Sequence, residues 1–274
     1  MKQRIKRAFL DTKDGQILYR IGGEGASLLL LHMTPRSSDE FRELAPILAQ
    51  HRCAIAMDLM GLGDSDPPPS VYAVADYAKT VIALWDELGI QAGSILGSLA
   101  GGYIAGEVAA AYPERVENLI LCNVLGFEAA EAEQVLKKYS EGFQVKDDGS
   151  HLMARWLARA NYVGRGALNH RCVMDDLKCL GSPVYPGVAV ANYCLAARER
   201  FRLINCPTLI LSGTKALEPL EKAGLAKAEN QHWLSEVIPH SKGVELEGGT
   251  LWMMNQMPEE ISQIVVDFLD DTGA

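Results

Sequence analysis

The segment Ser94-Ile95-Leu96-Gly97-Ser98-Leu99-Ala100-Gly101-Gly102 carries a short apolar run straight into a helix-forming stretch, with no connecting loop. A chain that passes from strand to helix within so few residues brings the two backbones close together. Only small residues then fit on either side of the turn. Centring the turn on Leu99 places Gly97 and Gly101 two residues to each side, whereas centring it on Ser98 places Leu96 and Ala100 there. Sterics favour the Leu99 register, in which Ser98 is a small structural residue. In the alternative register Ser98 is the exposed hydroxyl.

The rest of the chain repeats the same strand-to-helix logic. Leu28-Leu29-Leu30-Leu31, Cys53-Ala54-Ile55-Ala56-Met57, Leu119-Ile120-Leu121-Cys122 and Thr208-Leu209-Ile210-Leu211 are short apolar runs ending in polar or glycine-containing loops, the pattern of parallel strands buried on both faces. Gly243-Val244-Glu245-Leu246 closes the series, and Ile17-Leu18-Tyr19-Arg20 reads as an antiparallel strand at its start. Amphipathic stretches at Glu40 to Gln50, Val74 to Leu88, Gly102 to Tyr112 and Pro258 to Leu269 predict helices between and after them. Such alternation defines an α/β fold with a mostly parallel sheet flanked by helices. Residues 127–202 break it with three or four helical segments and no strand. They are expected to form a helical cap over the strand ends, inserted between core segments 1–126 and 203–274, where open α/β sheets bind ligands.

At 274 residues and 48% apolar content the chain can bury a large core. A formal charge of −9 argues against nucleic acid or an anionic membrane as partner, leaving a small molecule as the expected one. Homodimerisation through the helical insertion or the last helix is compatible with the sequence but not required by it. The six cysteines are scattered without a CxxC pair and read as reduced, buried thiols. No His, Asp, Glu or Cys spacing suggests a metal, and neither Gly22-Gly23-Glu24-Gly25 nor Gly248-Gly249 has the frame of a phosphate loop. No cofactor is expected. The charged start Met1-Lys2-Gln3-Arg4 lacks a following apolar region and no run reaches the length of a membrane span, so a cytoplasmic location is expected.

Several phrases, in order, resemble the α/β-hydrolase superfamily. His32-Met33-Thr34-Pro35 resembles the loop after the third strand that supplies one amide of the oxyanion hole, here that of Thr34. Asp58-Leu59-Met60-Gly61-Leu62-Gly63-Asp64-Ser65, Tyr112-Pro113-Glu114-Arg115-Val116 and Met257-Pro258-Glu259-Glu260 are also family-like, and Leu99 occupies the centre of what resembles the nucleophile elbow. The resemblance implies an α/β-hydrolase fold with a second oxyanion amide at Ala100.

The departures bear on function. In place of the family's nucleophile, acid and base stand Leu99, Ala216 and Thr250, within Gly213-Thr214-Lys215-Ala216 and Gly248-Gly249-Thr250-Leu251-Trp252. A serine without a base is a poor nucleophile, so ordinary triad hydrolysis is not expected. Three readings remain. The first is a non-covalent enzyme acting on a small carbonyl or carboxylate compound by lyase, decarboxylase or cyclase-like chemistry. In it the amides of Thr34 and Ala100 hold the oxygen, Arg36 clamps a carboxylate and His32 carries a proton. Against those roles, His32 can simply pack under its loop, and Arg36 can be exposed at the surface or pair with Asp39 or Glu40. The second reading is a ligand-binding protein without chemistry. The third is an atypical hydrolase using Ser98, or a water activated by His32. Met33, Trp156, Tyr162 and Trp252 are the expected substrate contacts, Trp252 filling volume an imidazole would occupy. His151, His170, Arg171, Tyr185 and Tyr193 are further polar or aromatic residues of the insertion, and Glu128 lies near an alternative acid position, although its place favours a solvated carboxylate at a helix start.

Overall fold

The computed structural model of the chain describes residues 3–179, 185–222, 226, 227, 230 and 232–273. Strands β1 (Lys6–Thr12), β2 (Gly15–Gly22), β3 (Ser27–Leu31), β4 (Cys53–Met57), β5 (Gly93–Ser98), β6 (Val116–Cys122), β7 (Thr208–Gly213) and β8 (Ser241–Leu246) form one sheet. Their spatial order is β1-β2-β4-β3-β5-β6-β7-β8. β1 pairs antiparallel with β2, and β2 with β4. From β4 through β3 to β8 the pairing is parallel throughout.

Burial on both faces explains why the central strands are apolar runs. Leu28, Leu29, Leu30 and Leu31 are all fully buried, yet alternate residues enter different cores because successive side chains leave a strand on opposite faces. Leu29 and Leu31 join Ile55, Leu119 and Leu121 beneath α2 (Val74–Glu87) and α3 (Ala100–Ala111), while Leu28 and Leu30 join Ala54, Ile120 and Leu209 on the other face. That second face is covered by α1 (Ala45–Leu48) and, near the end of the chain, by a helix over Pro258–Asp271. Each leucine so buried contributes about 1.5–3 kcal/mol of transfer free energy.

Two sequence expectations change. β1 is absent from the series of apolar runs because it is an edge strand with a largely exposed outer face, including Phe9 at 52% exposure. The helix expected from Glu40 to Gln50 is divided into a 3₁₀ turn at Ser38–Phe41 and the short α1, whose first turn contains Pro46. Proline there lacks the N–H that would bond back to the preceding turn.

Between β6 and β7 the chain forms α4 (Ala129–Glu141), α5 (Ser150–Val163), α6 (Ala167–Cys179) and α7 (Tyr185–Phe201). α8 (Glu218–Lys222) and α9 (Trp233–Val237) follow β7, and α10 (Met253–Gln256) and α11 (Pro258–Asp271) follow β8. Asn123 ties the ends of three strands together just beneath the insertion. From a left-handed backbone (φ 50) it accepts the Gly213 N–H at 2.9 Å and donates to the Thr250 carbonyl at 3.2 Å. No described helix is long and apolar enough to cross a membrane.

Candidate functional site

The turn between β5 and α3 is centred on Leu99, whose φ of 46° and ψ of −108° lie outside the regions a branched side chain ordinarily occupies. The surrounding backbone enforces this conformation. The Leu99 N–H donates to the Cys122 carbonyl at 2.9 Å, and the Leu99 carbonyl accepts from Gly102 at 3.0 Å. The two flanking glycines are sterically required: a Cβ on Gly97 would lie 2.5 Å from the Gly101 oxygen, and one on Gly101 would lie 2.1 Å from the Leu31 oxygen. Leu99 therefore occupies the apex and its side chain lines a cavity of about 250 Å³ between the strand ends and the helical insertion. Ser98 is 1% exposed and does not line that cavity.

Met33, Thr34, Leu99 and Ala100 line the core side of the cavity, with Leu251 and Trp252 from the loop after β8. Ala100 opens α3, so its N–H has no carbonyl one turn back in the helix. Tyr162 and Trp252 line the cavity in contact with each other, ring centroids 4.5 Å apart. Of the expected substrate contacts, Met33, Tyr162 and Trp252 are thus brought together. Trp156 lies elsewhere in the insertion, its ring 6.3 Å from that of His170 and neither residue lining the cavity.

Ala216 is packed with Met33, Cys172, Leu251 and Trp252. The Thr250 hydroxyl donates to the Gln256 side-chain oxygen at 2.7 Å and accepts the Trp252 N–H at 3.0 Å. Glu128 caps α4 at the surface and pairs with Lys227.

His32 is fully buried and does not line the cavity. Its Nε2 lies 2.9 Å from the Leu59 nitrogen, which can only donate, so Nε2 is the acceptor and the proton resides on Nδ1, 2.8 Å from the Met33 carbonyl. Burial lowers its pKa, against the opposing pull of Asp58. With both nitrogens bonded to backbone, this imidazole has none left for a ligand and holds the Met33-Thr34 loop in place. Glu40, also fully buried, supports the same loop by accepting the Met33 N–H at 2.7 Å. Burial pushes the Glu40 carboxyl up to about 7, although Arg36, the Met33 N–H and the Ser98 hydroxyl all favour its charged form.

Arg36 does line the cavity, but its partner is neither Asp39 nor Glu40. Its Nε donates to Asp175 of α6 at 2.6 Å and its Nη1 to Asn255 at 3.2 Å, leaving Nη2 buried without a partner. Asp175 also accepts from the Ser37 hydroxyl at 2.5 Å and the Ser37 N–H at 3.2 Å. Burial opposes ionisation of Asp175, yet Arg36 and the Ser37 bonds hold its pKa below the usual carboxylate range. Next to it, Asp176 is fully buried and bonds both Arg155, at 2.9 Å, and Arg159 of α5. The Arg159 guanidinium stands 4.3 Å from the centre of the Trp252 ring.

The insertion thereby delivers Lys138, Arg155 and Arg159 to the cavity, residues that sequence reading did not single out. A signal existed: Arg155, Arg159 and Tyr162 fall at helical spacing on one face of α5. His151, Arg171, Tyr185 and Tyr193 are outside the cavity. Arg171 pairs with Glu43, and the Tyr193 hydroxyl donates to Glu107. Among the described residues no group of three or more His, Cys, Asp or Glu could hold a metal ion.

A mostly parallel sheet, a strained strand-to-helix apex and an insertion above the strand ends define a fold class, and residues 26–249 match the family model of the alpha/beta hydrolase fold. The chain belongs to that family. A hydrolase from Pseudomonas aeruginosa superposes with a TM-score of 0.80 at 21% identity, covering 96% of this chain and 98% of that one. A meta-cleavage product hydrolase from Pseudomonas fluorescens gives 0.75 at 18% identity over 94% and 95%. Among sequence relatives, an uncharacterized protein of Mycobacterium tuberculosis is 37% identical over 108 residues, 39% of this chain and 32% of its own length. The 2-hydroxymuconate semialdehyde hydrolase of Pseudomonas putida is 36% identical over 112 residues, 38% of each chain. The matched segments therefore span only about a third of the lengths of these relatives.

Proposed function

We propose that this chain is an α/β-hydrolase-fold enzyme with a degenerate triad, acting non-covalently on a small carbonyl or carboxylate compound. The observation that carries the reading is Leu99 at the strained apex, its side chain in the cavity where the family resemblance implies a nucleophile. Beside it, the amides of Thr34 and Ala100 are the candidate oxyanion hole. Chemistry that drives negative charge onto a carbonyl oxygen, as bond cleavage or ring closure next to a carbonyl does, needs such donors but no acyl-enzyme. Each well-aimed donor supplies about 3 kcal/mol of transition-state stabilisation.

The other groups facing the cavity fit a non-covalent route. Burial pushes the thiol of Cys194, which lines the cavity, up to about 11, leaving little thiolate near neutrality. No imidazole is found among the described lining residues, and His32 is bonded to backbone at both nitrogens. Lys138 lines the cavity with a pKa lowered by burial and by the charges of Arg155 and Arg159, which makes it a better candidate than His32 for exchanging a proton with a bound compound.

A second reading, a ligand-binding protein without chemistry, is favoured by the same inert side chains at Leu99, Ala216 and Thr250. Hydrolysis through Ser98, or through water activated by His32, has less support because neither side chain lines the cavity. A turnover screen separates these readings. Small oxo acids, other carboxylates and esters are incubated with the protein and followed by NMR, with intact mass recorded on acid-quenched samples. Conversion proportional to protein concentration, with no mass adduct, is expected. Saturable binding without product supports the binding protein, and a trapped acyl adduct overturns the non-covalent reading.

A further inference from the structure

The chain is acidic overall, with a formal charge of −9, yet every described lining residue of the cavity that ordinarily carries charge is a cation: Arg36, Lys138, Arg155 and Arg159. Their compensation is uneven: neighbouring carboxylates, Asp175 foremost, favour the charged form of Arg36 against its burial, whereas burial and the repulsion of Arg159 lower the pKa of both Arg155 and Lys138. Arg155 and Arg159 share a single carboxylate oxygen, Oδ2 of Asp176, whose Oδ1 is 3.9 Å from the Arg36 Nε. Asp175 serves Arg36 and Ser37. Two aspartates therefore face three guanidiniums and an ammonium, with Glu40 held near half charge at neutral pH.

The network is not closed on itself: Nη2 of Arg36, on a side chain with no exposure, and Nη2 of Arg155 are both buried without a hydrogen-bond partner, as are the acceptors Oδ1 of Asp176 and Oε1 of Glu40. A buried guanidinium N–H left unpaired is costly, and an oxyanion is the partner whose geometry matches the guanidinium fork. Beside these cations the wall is aromatic, formed by Tyr139, Tyr162 and Trp252.

We propose that the cationic side of this cavity, formed by Arg155, Arg159 and Lys138 from the insertion and backed by Arg36 from the core, is a binding subsite for the carboxylate of an amphipathic organic anion whose apolar part packs against Tyr162 and Trp252. The proposal rests on the reading that this cavity is the functional site, and it narrows the substrate class to organic acids. Lys138 and the arginines lie on α4 and α5 while Thr34 and Ala100 lie on the core, so a bound anion spans both parts of the protein. The same oxyanion chemistry admits a phosphate ester, and the test discriminates between the two head groups.

The test is titration calorimetry of the full chain with 4-phenylbutyrate, its neutral amide and phenyl phosphate, together with quenching of tryptophan fluorescence compared between wild type and Trp252→Phe. Variants Arg155→Gln and Lys138→Gln are measured alongside, with thermal melts to establish that each is folded. Lys138 is the safeguard, because among the described residues it has no buried ion pair whose loss would unfold the chain. The carboxylate is expected to bind saturably and at least about tenfold more tightly than the amide, with either substitution weakening it about tenfold. Tighter binding of phenyl phosphate than of the carboxylate moves the head-group assignment to phosphate. Equal binding of amide and carboxylate through Trp252 overturns the anion subsite but leaves the cavity as the functional site. Failure of all three probes to quench Trp252 overturns both.

Discussion

Glu40 gives the account a thermodynamic test that needs no ligand. Its carboxyl is held at about 7 against an ordinary value of 4.5, because it is fully buried under the Met33-Thr34 loop. Between those two pH values the native protein keeps a proton that the unfolded chain has already lost. The native state therefore binds more protons there, and stability falls as pH rises across the window. At about 1.4 kcal/mol for each pH unit, the loss amounts to roughly 3 kcal/mol by pH 8. Glu40→Gln keeps an acceptor for the Met33 N–H and cannot ionise. Urea unfolding of wild type and variant, followed by tryptophan fluorescence at pH 5, 6, 7 and 8, measures the difference directly. His32 contributes in the opposite sense, since its lowered pKa makes stability fall as pH drops below its ordinary 6.5; burial, Asp58, Met33, Asp175 and Arg36 set that shift and stay the same in Glu40→Gln, so the difference between the two proteins reports Glu40. The wild type is expected to lose roughly 3 kcal/mol more than Glu40→Gln between pH 5 and pH 8, with unchanged dependence on urea. Parallel pH profiles for the two proteins would refute the assignment of a buried, proton-retaining carboxyl under this loop.

Further predictions concern the apex and the ion network. Gly101→Ala drives a methyl into the Leu31 carbonyl, 2.1 Å from its Cβ, and is expected to cost on the order of 4 kcal/mol in urea unfolding; a loss below about 1 kcal/mol would show that the turn is not constrained as described. Asp176→Asn leaves Arg155 and Arg159 without their shared charge and should destabilise the protein by about 3–5 kcal/mol, measured the same way. Leu99→Ser places a hydroxyl in the cavity with no base beside it, so hydrolysis of a p-nitrophenyl ester should stay within about twofold of wild type. A burst of nitrophenolate from that variant would reveal a base that the structure does not supply.

The parts of the fold set by local sterics and patterning were readable in the sequence. The buried runs at Leu28–Leu31 and Ala54–Met57 announced central parallel strands because no polar face interrupts them, and Gly97 with Gly101 located the apex at Leu99. β1 was not readable, since an edge strand with Phe9 exposed carries no buried run. The helix expected through Glu40 failed at Pro46, where a missing N–H outweighs an amphipathic pattern. The site was legible mainly on its core side, with Tyr162 the one expected contact from the insertion that lines the cavity. Met33, Thr34, Leu99, Ala100 and Trp252 follow from motif order, whereas the partnership of Arg36 with Asp175 joins residues 139 positions apart. No local pattern encodes such a contact. It depends on how α5 and α6 pack above the sheet, and the same packing, rather than any local pattern, brings Lys138 to the cavity and leaves Trp156 outside it.

A cavity that works without a covalent nucleophile gives a fluorophosphonate nothing to label, so the decisive measurement is intact-protein mass after incubation with that reagent, with Ser98→Ala run in parallel. Wild type is predicted to keep its unmodified mass. A single stoichiometric adduct that disappears in Ser98→Ala would contradict the claim, because it would mean that Ser98 reaches the cavity and is activated there.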